Sequence, residues 1–315
     1  ALVRTHRMGI CGTDLSGYLG KMPFFSYPRI PGHELGLEVL ALGEGVTHLQ
    51  VGDKCSLEPY VNDPSSVTST KGNSNCCPGV QVLGVHSDGG LRPEWICPAR
   101  KLHQGNDLSY DQLALVETLA IGYHSVIRAN PQPKETVLVI GAGPIGLAAL
   151  EFLRLHDLNI IVMDMVESRL EFCRDHLGIQ HTVVFRADGN HLSELEAITG
   201  GELANIVIDA SGSVRSMSSC FEYAAFTGRV IYVGITTENL SFPHAPVFHR
   251  RELTLLASRN ALPDDFGKII DLIAAGEINT DVWITDRLSF GDVPSDFAAF
   301  TDTGRGTVKA LIEIP

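Results

Sequence analysis

A chain of 315 residues, 44% of them hydrophobic, can fill two packed cores and is longer than a single core usually supports. Its 24 Lys and Arg against 37 Asp and Glu give a formal charge of -13, which repels polyphosphate and argues against nucleic acid or an anionic membrane as partner. No apolar run approaches the roughly 20 residues that span a bilayer, and seven scattered cysteines do not form a disulfide framework, so a reducing cytoplasm is the expected compartment.

In chain order, residues 1–10 read as a strand already under way, with no signal peptide apparent, so residues are expected ahead of Ala1. Residues 1–119 are rich in Gly, Pro and short β-type runs such as 37–40, broken by Gly43 and by Gly52 with Asp53, which predicts a mostly β domain. Residues 63–79 are polar and turn-rich and read as an exposed lobe or loop. Near Leu119 the texture changes. Residues 137–140 are a short apolar run stopped by Gly141, and Pro144 stands where a helix would start. A second run over 159–163 precedes a helical stretch over 168–177, with further strands at 206–208 and 230–233. Strands alternating with helices over 120–259 predict an α/β domain, a doubly wound parallel sheet covered on both faces. Residues 260–315 add a helix over 266–275 and a last strand over 308–314, and are expected to return to the first domain.

Gly141, Gly143 and Gly146 fit G-x-G-x-x-G, with Pro144 and Ile145 inside the motif. A strand before it, a helix after it and Asp164, 18 residues past Gly146, make it a dinucleotide signature rather than a chance run of glycine. Gly141 permits the turn, Gly143 lets backbone approach a pyrophosphate, and Gly146 lets helix and strand pack closely. Asp164 would accept from the ribose hydroxyls and repel a 2'-phosphate, so NAD is expected over NADP. Arg169 is a further cofactor candidate. Ser211 with Gly212, after Asp209, and Gly234 lie at strand ends and read either as cofactor contacts or as ordinary turns.

Cys11, His33, Glu34 and Glu117 are the ligand types that zinc uses. Taken alone, a single cysteine or histidine is more often a core or surface residue. The runs around Cys11 (residues 9–14) and His33 (32–34), then Gly52 with Asp53, then the glycine motif, follow the order of the zinc-containing medium-chain alcohol dehydrogenases, and the chain resembles that family over its whole length. Residues 23–29, 257–261, Asp265 and Phe266 are similar to its sorbitol, threonine and sugar-acid branch.

The resemblance implies a GroES-like catalytic domain beside a Rossmann domain, one catalytic zinc, NAD and a homo-oligomer. It makes Cys11 and His33 zinc ligands, leaves Glu34 and Glu117 as direct or nearby carboxylates, casts Thr13 as receiver of the substrate proton, and gives Asp14 the task of orienting His33. Arg259, by its place after the dinucleotide domain and by guanidinium chemistry, reads either as a clamp on the cofactor or a substrate carboxylate or as a surface arginine at a domain joint. Galactonate-like sugar acids rank first as substrate, polyols second, threonine third. The family's structural zinc site has the spacing C-x2-C-x2-C-x7-C, but here those positions read Asp63, Ser66, Ser69 and Cys77, so the lobe is expected to hold no metal. Ser16 replaces a relay histidine, Leu37 a glycine and Thr118 a proline. A zinc-free quinone reductase would lack the ligand set; a non-catalytic NAD-binding protein is the alternative from another class.

Overall fold

The computed structural model describes residues 1–302 and 304–315. They form two compact units, Ala1–Ala120 with Asn260–Pro315, and Ile121–Arg259.

The first unit opens with β1 (Leu2–Gly9), α1 (Gly12–Tyr18), β2 (Glu34–Ala41), β3 (Lys54–Leu57), β4 (Tyr60–Val61), α2 (Val67–Thr70), β5 (Gln81–Val82), β6 (Glu94–Ile96) and β7 (Leu102–Gln104). α3 (Tyr110–Ala129) follows and supplies its first half to this unit. Strand alternation explains the packing: Leu35, Leu37 and Val39 on β2 turn one face into a core with Val3, Met8 and Trp95. Gly36 faces the other way, where a Cβ would lie 2.2 Å from the Tyr110 carbonyl. Leu37, in place of the family's glycine, is therefore a core residue, and Gly36 permits the close approach of α3.

The second unit contains β8 (Thr136–Ile140), α4 (Pro144–Leu153), β9 (Asn159–Asp164), α5 (Glu167–Leu177), β10 (His181–Val184), α6 (Asn190–Thr199), β11 (Ala204–Asp209), α7 (Val214–Ser219), β12 (Ala224–Tyr232) and β13 (Thr254–Ala257). All six strands are parallel, in the order β10-β9-β8-β11-β12-β13. This is the doubly wound arrangement of dinucleotide-binding domains, whose strand order reverses between β8 and β11. The central strands read as continuous apolar runs because both faces are covered. α8 (Pro263–Ala274), β14 (Ile284–Ser289) and β15 (Lys309–Glu313) then complete the first unit. Its largest sheet runs β14-β15-β1-β2-β3-β7, with β6 also pairing β1, while β4 and β5 form a small sheet of their own.

Two expectations need correction. Residues 110–129 are a single helix that sequence reading passed over. Leu113, Ala114, Leu115, Val116, Leu119 and Ala120 are all buried, so no one apolar stripe stands out. The lobe is not simply an exposed loop: it carries α2 and a 3-10 turn, Ser74–Cys76, and buries Asn75 and Cys77. Among the described residues no helix is long and apolar enough to cross a membrane.

Candidate metal centre and dinucleotide site

The register of β1 against β2 assembles the first site. Gly9 pairs with Glu34 and Met8 with Leu35, so the chain leaving β1 brings Cys11 beside His33. Gly9 is needed there because a Cβ would lie 2.1 Å from Glu34 Oε2. Cys11 is the N-cap of α1, and its N–H donates to Asp14 Oδ2 at 3.0 Å. One acidic side chain thus closes the first turn of the helix, as capping requires.

Cys11, His33 and Glu34 offer ligand atoms that all lie within 4.8 Å of one another. His33 and Glu34 are buried and Cys11 is half-buried. His33 Nδ1 and Asp14 Oδ1 face each other at 3.6 Å, beyond hydrogen-bond length, and neither has another partner. Glu117, on α3, lies outside this triplet and accepts a hydrogen bond from the Tyr60 hydroxyl. Lys309, from β15, donates to Glu34 Oε1 at 2.8 Å, Glu34 Oε2 at 2.7 Å and Thr118 Oγ1 at 3.0 Å.

Burial and charge compete at each group. Burial pushes His33 down, but Asp14 and Cys11 outweigh it and hold the imidazole well above its usual value. Burial raises Glu34, yet the Lys309 ammonium and then His33 bring it below the ordinary carboxylate range. Glu117 is raised, chiefly by burial, and Tyr60 is raised well above its ordinary value by burial and by Glu117. A thiol, an imidazole and a carboxylate with ligand atoms gathered within 4.8 Å, the far side of the imidazole turned toward Asp14, are a donor set that fits a zinc ion.

Thr13 is the second residue of α1 and half-buried, and Ser16 follows one turn later. Tyr60 and Lys309 were not legible as site residues. Tyr60 carries no motif, and Lys309 shows only as a lone cation opening an apolar strand.

The second site lies at the C-terminal ends of β8, β9, β11 and β12. Gly141 has φ +95°, a conformation side chains rarely adopt, and a Cβ there would meet Ser211 Cα at 3.2 Å. Around Gly143, the N-cap of α4, a Cβ would meet no atom within 4 Å, so the helix N-terminus is open to a ligand. At Gly146 a Cβ would lie 1.7 Å from the Gly141 carbonyl, and at Gly234 it would lie 2.3 Å from Gly212 N. Pro144 and Ile145 begin α4, half-buried beside the open cradle.

Asp164 Oδ2 accepts from Ala142 N at 2.7 Å and Oδ1 from Val166 N at 2.8 Å, with Arg169 at 3.8 Å. Each carboxylate oxygen keeps a lone pair for a ribose hydroxyl. Asp209 is an anchor for its turn: one oxygen accepts from the Ser211 N–H and hydroxyl, the other from the Ser216 hydroxyl. Ser211 is exposed above it, and Arg259, the last residue of the second unit, is exposed as well.

Comparison with known proteins shows the family to which the chain belongs. Residues 1–107 match the alcohol dehydrogenase GroES-like domain and residues 144–275 the zinc-binding dehydrogenase domain. The chain is 35% identical over 312 residues to L-galactonate-5-dehydrogenase of Escherichia coli, covering 99% of this chain and 91% of that protein. It is 31% identical to 2-dehydro-3-deoxy-L-galactonate 5-dehydrogenase of Pseudoalteromonas atlantica, covering 97% and 89%. The crystal structure of an Escherichia coli alcohol dehydrogenase complexed with NADH superposes with a TM-score of 0.91 at 27% identity, covering 99% of this chain and 91% of that one.

Proposed function

Since the chain belongs to the zinc-containing medium-chain alcohol dehydrogenases, we propose that this enzyme moves a hydride between NAD and a secondary hydroxyl of a sugar acid of the galactonate type. Polyols rank second. The observation that carries the reading is the meeting of Cys11, His33 and Glu34; the names of the two galactonate-related relatives support the substrate class.

Cys11, His33 and Glu34 would hold one zinc, with Glu117 as a second carboxylate outside the triplet. Bound zinc supplies a Lewis acid that polarises the substrate oxygen, and NAD supplies the hydride acceptor. Thr13 receives the hydroxyl proton, and because Ser16 stands where a relay histidine is usual, that proton passes on to water. Asp14 keeps the His33 ring facing the metal. Gly141, Gly143 and Gly146 admit the pyrophosphate to the start of α4, and Asp164 takes the adenosine ribose. Arg169 and Ser211 flank that region, and Arg259 would hold a phosphate or the substrate carboxylate. A homo-oligomer is supported by β13, an edge strand that leaves Leu255 exposed.

The test is elemental analysis of the purified protein together with rates on a panel of sugar acids and polyols. About one zinc per chain and highest kcat/KM on a hexonate are expected. Zinc-free protein that is fully active, or a neutral polyol preferred over every acid, would overturn the metal or the substrate part respectively.

A further inference from the structure

The clamp on Glu34 goes beyond the ligand set. Lys309 is 2% exposed and Thr118 1%, so neither meets bulk water. An ammonium has three donor hydrogens, and the three shortest acceptors around Lys309 Nζ are the two Glu34 oxygens and Thr118 Oγ1, with the Ile10 carbonyl farther off at 3.4 Å. The Thr118 hydroxyl accepts from Lys309 and has its own hydrogen within reach of Glu34. Gly9 leaves the room in which that carboxylate sits. Glu34 is thereby bounded by β1, α3 and β15 at once.

The hydroxyl at 118 exists because this chain departs from the proline usual in the family. Its neighbour Glu117 points to Tyr60 instead, as expected for successive helix residues about 100° apart. The two adjacent α3 residues therefore serve the two acidic groups separately.

We infer that Lys309 and Thr118 are positioning residues that fix the Glu34 carboxylate beside Cys11 and His33, so that the affinity and coordination geometry of the metal centre depend on both. This rests on the zinc reading above. Groups that orient a ligand from behind typically change metal affinity by about 10- to 100-fold when removed.

The test compares wild-type holoenzyme with Thr118→Val, Lys309→Met and Lys309→Arg. Zinc affinity is read by competition with a chromophoric chelator, and ligand geometry by the visible spectrum of the cobalt(II)-substituted protein. Lys309→Met is expected to weaken zinc by about 10- to 100-fold and to shift the cobalt bands, with partial recovery in Lys309→Arg. Thr118→Val, nearly isosteric and safe for folding, is expected to weaken zinc a few-fold with a smaller spectral shift. Wild-type affinity and spectra in both Thr118→Val and whichever lysine variants fold would overturn the inference while leaving the zinc reading intact. Wild-type protein that binds no zinc would overturn both.

Discussion

Single atoms decide much of this molecule. Gly9→Ala would place a Cβ 2.1 Å from Glu34 Oε2 and 3.0 Å from Glu34 Cβ, so the carboxylate would have to move against its hydrogen bonds from Lys309. The variant should lose about 1–3 kcal/mol of stability and bind zinc more weakly. A denaturant melt together with metal analysis checks this, and unchanged values in both would mean that Glu34 simply swings away. Asp164→Asn tests the cofactor reading. Amide for carboxylate removes the charge that repels a 2'-phosphate while leaving an acceptor for one of the two loop N–H groups. The ratio of kcat/KM for NAD to that for NADP should fall by about tenfold, equivalent to roughly 1.4 kcal/mol. A ratio that stays put, or a wild-type preference for NADP, would assign selection to Arg169 instead.

At the scale of elements, the lobe is the most informative. Its four residues in the place of cysteine ligands are joined by hydrogen bonds. Ser66, the N-cap of α2, donates to Ser69 Oγ at 2.8 Å and accepts from Ser69 N at 3.3 Å. Asn62 Nδ2 donates to the same Ser69 Oγ at 2.8 Å, and Arg100 donates to the Asn62 side chain at 2.8 Å and to its carbonyl at 2.6 Å. Asp63 caps its own turn through Ser65. Hydrogen-bonding groups around it, first the Ser66 side chain and then the Asp63 backbone, keep the Cys77 thiol below its ordinary pKa. Arg100→Met should therefore loosen the lobe by about 1 kcal/mol and speed protease cleavage within residues 63–79 about fivefold, with no change on adding a chelator. Chelator-induced cleavage of the wild-type lobe would instead reveal a metal there. Such a network is hard to foresee, because serine and asparagine spacing does not announce which hydroxyls meet. The elements around the glycine motif are legible for the opposite reason: β8, α4, β9 and Asp164 are neighbours in sequence, and each leaves its own local mark in apolar runs, Pro144 or the glycines. α3 leaves no such mark, being apolar around most of its circumference. Cys11, His33 and Glu34 are legible through motifs, whereas Lys309 enters from 275 residues beyond Glu34 and only the sheet register brings it there.

Over the whole molecule, the same long-range closure recurs on the surface of the first unit. Arg7 on β1 donates to Asp111 on α3 at 2.7 Å, Arg287 on β14 donates to the other oxygen of Asp111 at 2.6 Å, and Arg287 also reaches Glu313 on β15 at 3.0 Å. Three elements, β1, α3 and β14, are thus tied through the one carboxylate of Asp111, and Arg287 adds β15 through Glu313. Partial burial pushes Asp111 up, but the hydrogen bonds from Arg287 and Arg7 outweigh it and hold the group below its ordinary value. A carboxyl depressed in the folded state binds a proton more readily when unfolded, so its stabilisation is present above the ordinary pKa of about 4 and is lost as pH falls through the folded value. Because the pairs are partly solvent-screened, the contribution is about 1 kcal/mol, or about 2 °C in Tm for a chain of this size. Asp111→Asn should melt about that much lower than wild type at pH 7, and the gap should close as pH falls below about 4 and the wild-type carboxyl protonates. Thermal melts across that range decide it. A gap that is constant with pH would mean that the asparagine disturbs packing, and that the two arginines draw no net stability from the charge they share.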